Sequence, residues 1–112
     1  MIAKRRSRQF LLVLEKKINE TSRDLKRTER KLEKLYLKKG LFNYHVVRVC
    51  HEFANLVLRG GSEKERQRLT RLFASLEDVW KRDRSRLANE IKQAKEKRSA
   101  LQVRLARLDK KF

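Results

Sequence analysis

The sequence has no proline, three glycines and one cysteine among its 112 residues. Because proline is absent, nothing in the chain forbids long uninterrupted helices. The single cysteine, Cys50, excludes a disulfide bond within the chain and favours a reducing compartment. No charged leader followed by an apolar core and a cleavage site opens the chain. We therefore expect a cytoplasmic protein built from helices.

Long hydrophobic runs are also missing. The most apolar window, 41–58, contains Arg48, Glu52 and two histidines, which would be costly in hydrocarbon. We therefore expect no membrane insertion.

Signatures of catalysis and of metal binding are equally scarce. There is no Ser/His/Asp triad context, no glycine-rich phosphate loop and no paired-carboxylate motif, so we predict a non-enzyme without a cofactor. The metal-ligand residue types His45, Cys50, His51 and Glu52 cluster in sequence. On a helix, however, these spacings place them on different faces, so we predict no metal site.

What the chain has instead is a heptad of seam positions that keeps its phase for nearly half its length. The positions are Leu11, Leu14, Ile18, Thr21, Leu25, Thr28, Leu32, Leu35, Lys39, Phe42, Val46, Val49, Phe53 and Leu56. A seam of that length is typical of a coiled coil. A second stripe follows, at Leu69, Phe73, Leu76, Trp80, Leu87, Ile91, Ala94, Leu101, Leu105, Leu108 and Phe112.

The two stripes predict an all-α fold in which two long helices form an antiparallel coiled-coil hairpin. We expect a single hairpin over 1–112, with helix 1 at about 5–59, helix 2 at about 62–112 and the turn at 59–62. Gly60 and Gly61 can adopt the left-handed conformation that ends a helix, and Ser62 to Glu65 has the pattern of a capping box. A symmetric turn predicts that Phe42 pairs with Trp80 or Val79, and Phe53 with Leu69.

Gly40 leaves two alternatives for helix 1. A glycine within a helix costs about 1 kcal/mol relative to alanine, so the helix could break at 39–43 and return as part of a small bundle. The heptad spacing of Leu35 and Phe42 continues across Gly40, which favours one continuous helix.

Beyond Gly40, apolar residues spread outside the seam. Tyr36, Val47, Cys50, Ala54 and Val57 are expected to widen the core stripe. A second set, Leu37, Leu41, Tyr44 and Leu58, projects from the side opposite the seam. A two-helix hairpin cannot bury both faces of one helix, so we expect this outer stripe to contact a partner.

The net charge of +18 is unevenly distributed. It is +9 over residues 1–40, zero over 41–58 and +9 over 59–112. Much of the excess gathers at the end of the hairpin opposite the turn. Such a surface attracts acidic partners: nucleic acid, an anionic membrane surface or an acidic protein cavity.

A short, basic coiled-coil hairpin whose heptads begin at Phe10-Leu11-Leu12-Val13-Leu14 and end over Leu101 to Phe112 resembles the central-stalk proteins of type III secretion ATPases, the FliJ and YscO group, and particularly its virulence-associated branch. The resemblance covers the whole chain and lies in architecture. It implies a stalk whose terminal end enters the hexameric secretion ATPase and whose turn end reaches the cytosolic part of the inner-membrane export gate, with export chaperones as further partners. The implied location is the cytoplasm, peripheral to the inner-membrane secretion apparatus.

Two sets of site residues follow from this resemblance together with the charge pattern. The candidate ATPase-binding residues are Arg5, Arg6, Arg8, Arg104, Arg107, Lys110 and Lys111. The candidate gate- or chaperone-binding residues are Leu37, Leu41, Tyr44, Leu58, Leu69, Phe73, Leu76 and Trp80. The last four match the family's i, i+4, i+7, i+11 spacing but are also predicted seam positions. A basic coiled-coil protein that binds nucleic acid or the ribosome is the alternative function, and a hairpin that only dimerises through its outer stripe is a third.

Overall fold

A computed structural model describes residues 8–111 of the chain, and these residues form two long helices. Helix α1 is Arg8–Leu58 and helix α2 is Glu63–Lys111, with no further helix or strand in that range. The predicted fold class, an antiparallel coiled-coil hairpin, is confirmed. Helix α1 runs through Gly40 without interruption, so the continuous helix is confirmed and the broken-helix alternative is wrong.

The chain divides into two compact units. The terminal unit comprises Met1–Glu33 and Lys92–Phe112, and the turn unit comprises Lys34–Ile91. Each unit therefore contains one part of each helix, and each is stabilised by its own stretch of the seam.

In the terminal unit, the buried positions are leucines, two threonines and Ala94. Leu14, Leu32 and Leu108 are buried. Thr21 and Thr28, which occupy seam positions between these leucines on helix α1, are also buried, at 3% and 4% exposure. The predicted seam of the terminal unit is thus the observed core, including its two polar members.

The buried threonines satisfy their hydroxyls within their own helix. Thr21 Oγ1 donates to the carbonyl oxygen of Lys17 at 2.8 Å, and Thr28 Oγ1 donates to that of Asp24 at 2.9 Å. A buried hydroxyl without a partner would be destabilising, so this local bond is what allows threonine in the seam. Both observed bonds of these hydroxyls therefore lie within α1.

In the turn unit, the core combines aliphatic and aromatic side chains. Leu35, Trp80, Leu87 and Ile91 are buried. The Phe53 and Phe73 ring centroids lie 5.1 Å apart, and the Phe73 and Trp80 rings meet edge to face at 6.0 Å. Such geometries favour aromatic pairs, so these three rings connect the two helices near the turn.

The contacts of the turn unit extend further along α2 than the symmetric pairing alone predicts. Phe53 lines a groove with Leu69, as predicted, and its ring also packs on Phe73, about one helical turn further on. Phe42 lines a cavity with Asp83 and Leu87. Two predicted seam positions, Lys39 and Leu56, are exposed, because a single facing helix covers only a narrow stripe of α1.

The turn has the predicted chemistry, with one glycine in the left-handed region. Gly60 has a φ of 78°, and its N–H donates to the carbonyl oxygen of Val57 at 3.4 Å. Ser62 Oγ accepts from the N–H of Glu65 at 3.2 Å, which caps the start of α2. Gly61 lies under the Glu65 carboxylate: a Cβ there would come within 2.7 Å of Oε2.

Gly60 and Gly40 should respond to alanine in opposite directions. Gly60→Ala should lower the free energy of unfolding by about 1 kcal/mol, because an L side chain is disfavoured at positive φ. Gly40→Ala should raise it by about 1 kcal/mol, since Gly40 is helical and a Cβ there meets nothing within 4 Å. Urea unfolding followed by circular dichroism measures both, and a stabilising Gly60→Ala would contradict this description of the turn.

Candidate interaction surfaces

The turn unit exposes the outer stripe of α1. Leu37, Leu41, Tyr44 and Leu58 are 66%, 61%, 68% and 83% exposed. Leu37, Leu41 and Tyr44 are thus exposed as expected, whereas Leu58, although exposed, also lies beside the seam residues Phe53 and Leu69. Their role in binding a partner stays a prediction.

The residues expected to widen the core are mostly exposed. Tyr36, Val47, Ala54 and Val57 are all exposed, and only Cys50 is half-buried. The expectation was wrong for four of the five. A single neighbouring helix covers a narrow stripe of seam positions, and it does not reach the flank on which these side chains lie.

This flank and helix α2 enclose an apolar groove near the turn. The groove has a volume of about 480 Å³, and we call it the turn groove. Its lining residues are Cys50, Phe53, Ala54, Val57, Leu58, Leu69, Thr70 and Phe73. The heptad pattern does not predict the turn groove. The sequence signal for it is the spacing of the flank positions 50, 54 and 57, which follow i, i+4, i+7 on α1.

The four gate-binding candidates on α2 differ in accessibility. Leu69, Phe73 and Leu76 are half-buried, and Trp80 is buried at 8% exposure. Leu69 and Phe73 face the turn groove, so a partner could contact them there. Trp80 packs on Phe73, which lines the groove. Because Trp80 is buried, it could contact a partner directly only if the helices separated.

Cationic side chains lie beside the turn groove. Arg66 and Arg71 line an adjoining cavity together with Glu63, Gln67 and Thr70, and Thr70 also lines the turn groove. Over 59–71 the chain carries five basic residues, namely Arg59, Lys64, Arg66, Arg68 and Arg71, against two acidic ones. The groove is thus apolar inside and positive along one side.

The terminal unit carries most of the remaining positive charge. Arg8, Arg104, Arg107, Lys110 and Lys111 are all exposed, and Lys110 and Lys111 lie in the last turn of α2. The other two ATPase-binding candidates, Arg5 and Arg6, lie outside the described residues. Between the helices, Arg27, Lys31 and Lys97 line a cavity of about 260 Å³ with Thr28 and Ala94.

Two kinds of site are absent from residues 8–111. No group of three or more His, Cys, Asp or Glu side chains within that range could hold a metal ion. Neither of the two described helices contains a stretch apolar enough to cross a membrane.

Comparison with protein-family models, with curated proteins and with solved structures finds no match to this chain.

The outer stripe and the seam should differ sharply in their effect on stability. Replacing Leu37, Leu41 and Tyr44 together by glutamine should leave the helix content nearly unchanged, because these side chains are exposed and the propensity differences are small. The matched core change Leu35→Ala should cost roughly 2–5 kcal/mol, because Leu35 is buried at 7% exposure. Thermal melts followed by circular dichroism test this contrast, and a large loss of helix in the triple variant would place the stripe inside the fold.

Proposed function

We propose that this protein is a non-enzymatic stalk and adaptor of a type III protein secretion system, which links the secretion ATPase to the export gate. One observation carries the proposal: the exposed stripe of Leu37, Leu41 and Tyr44 belongs to the turn unit, whereas the described residues of the terminal unit have the larger excess of basic over acidic side chains, sixteen against seven compared with thirteen against seven. A protein that joins two partners needs two surfaces of different chemistry.

The terminal unit supplies the ATPase contact in this proposal. Its described residues carry sixteen basic and seven acidic side chains. Exposed arginines and lysines attract an acidic surface over roughly 10 Å at moderate ionic strength, and arginine binds carboxylates in a bidentate manner. Arg8, Arg104 and Arg107, with Lys110 and Lys111, would contact the pore of the ATPase hexamer, and Arg5 and Arg6 would extend this basic surface.

The turn unit supplies the contact with the export gate, or with chaperones delivered to it. Leu37, Leu41 and Tyr44 expose more than half of each side chain, and burying such side chains favours association by about 25 cal/mol per Å² of apolar surface. Leu58, Leu69 and Phe73 add contacts at the turn groove. Trp80 packs against the groove residue Phe73, and Leu76 is half-buried one turn before Trp80.

A second candidate function is binding of nucleic acid or the ribosome. The cavity lined by Arg27, Lys31 and Lys97 favours it, because three cations around one concave surface could hold phosphate groups. Phosphate binding gives no reason for the exposed leucines of the turn unit, which is why we prefer the adaptor.

Charge reversal in the terminal unit should weaken the ATPase contact and leave the fold intact. We expect the change of Arg5, Arg6 and Arg8 to glutamate to reduce stimulation of the cognate secretion ATPase, with an effect that shrinks as salt is added. Reversal of Lys81, Arg82 and Arg84, three exposed or partly exposed positions of the turn unit, is the matched control and should have little effect.

The same proteins distinguish the two candidate functions. An adaptor should capture its ATPase and gate, whereas a nucleic-acid binder should bind generic DNA or RNA with an affinity that falls steeply with salt. Unchanged ATPase stimulation by the triple reversal at low salt, together with tight binding to generic RNA, would overturn the adaptor proposal.

A further inference from the structure

We propose that the turn groove binds an amphipathic helix whose apolar stripe is bordered by acidic residues. This inference rests on the proposed docking role of the turn unit and names the chemistry of its partner. It concerns a site on the flank of the hairpin that is formed by both helices and shares only Leu58 with the outer stripe of α1.

The shape of the groove favours a helix over a flat surface. Its floor is recessed, because Phe53, Leu69 and Phe73 are half-buried, while Val57 and Leu58 form an exposed wall at 42% and 83% exposure. A third helix can insert side chains spaced i, i+4, i+7 between two existing helices. A bilayer surface would touch the wall and could not reach the recessed rings.

The interior of the groove sets the apolar part of the partner. Among its eight lining residues only Thr70 carries a hydroxyl, and none is charged. A charged side chain inserted there would lose its hydration without gaining a partner. Leucine, isoleucine, phenylalanine or methionine side chains fit this environment.

The surroundings of the groove set the charge of the partner. Arg66 and Arg71 lie, together with Glu63, in the cavity that adjoins it through Thr70, so this side of the groove has a net positive charge. Carboxylates beside the partner's apolar stripe would meet these guanidinium groups and speed the association. A second copy of this chain would instead bring thirteen basic and seven acidic side chains of its own turn unit to the same place.

The experiment is a selection of helical peptides on the full-length chain. The library displays peptides of about 18 residues with apolar residues fixed at i, i+4, i+7 and i+11 and with random polar residues elsewhere. We expect the enriched peptides to carry a net negative charge. Their binding should protect the Cys50 thiol, which is half-buried in the groove, from alkylation.

Two pairs of variants locate the peptide. Val57→Asp should weaken binding by about tenfold or more, as loss of a central apolar contact does, whereas Val79→Asp, at an exposed position of similar size outside the groove lining, should not. Arg66→Glu with Arg71→Glu should weaken binding more at low salt than at high salt, and Lys81→Glu with Arg82→Glu should change it little. Circular dichroism checks the fold, and Ala54→Glu is the second groove variant if Val57→Asp loses helix.

Several results would overturn the inference. They are a library that yields no binder, enriched peptides that are neutral or basic, and peptide binding that survives both Val57→Asp and Ala54→Glu. If the free chain binds vesicles of phosphatidylcholine and phosphatidylserine, and Val57→Asp abolishes this binding, the groove belongs to a membrane contact. Concentration-dependent dimerisation abolished by the same variant would assign it to a second copy.

Failure of this inference is separable from failure of the proposed function. If ATPase and gate are captured equally well by the wild type and by Val57→Asp, the adaptor stands and the groove proposal fails. If acidic peptides occupy the groove but neither secretion partner is captured, the groove proposal stands and the adaptor fails.

Discussion

The structure depends on one constraint: each helix has a single neighbour. A helix buries only the stripe that another element covers, so each unit has a core that is one seam deep. Even Leu32 keeps 2% of its surface exposed, and no side chain among the described residues falls below that level. With so narrow a core, most side chains of the described helices face outward, and the surfaces available to a partner are these outer faces.

The narrow core also explains the residues of the seam. In the terminal unit, the hydroxyls of Thr21 and Thr28 donate hydrogen bonds to carbonyl oxygens of their own helix. These bonds allow polar residues in the core, although threonine buries less apolar area than leucine. In the turn unit, Phe53, Phe73 and Trp80 concentrate aromatic contact where the helices meet the turn. The rings bury more area per residue than threonine does. The two units are consequently stabilised by different side-chain chemistry, although one seam runs through both helices.

The seam and the turn could be predicted from the sequence because both are local properties. The heptad places Leu14 and Leu35 in the core through the helical period alone, and Gly60 with Ser62 specifies a helix end and a new helix start. The turn groove could not be predicted in the same way. It forms where the flank residues Ala54 and Val57 of α1 lie beside Phe73 of α2, and that pairing depends on the register, which the heptad leaves free to shift by a turn. The exposure of Leu37 and Leu41 followed from the period, whereas the partner that covers them cannot be deduced from this chain, because it is a property of another molecule.

Charge and apolar surface act over different distances, which gives the two units different tasks. Both units are net positive, so at long range each attracts any acidic partner, and that attraction alone cannot tell one partner from another. Individual charges matter only at distances shorter than the Debye length, which is about 8 Å at physiological salt. The stretch 41–58 has only two charged side chains, Arg48 and Glu52, and they pair with each other at 3.4 Å. Discrimination there depends on shape and apolar contact, to which Arg66 and Arg71 beside the turn groove add a preference for acidic residues. It follows that specificity for a partner should reside in the turn unit. The terminal unit should tolerate sequence changes that keep its charge, because its exposed surface is dominated by flexible cations.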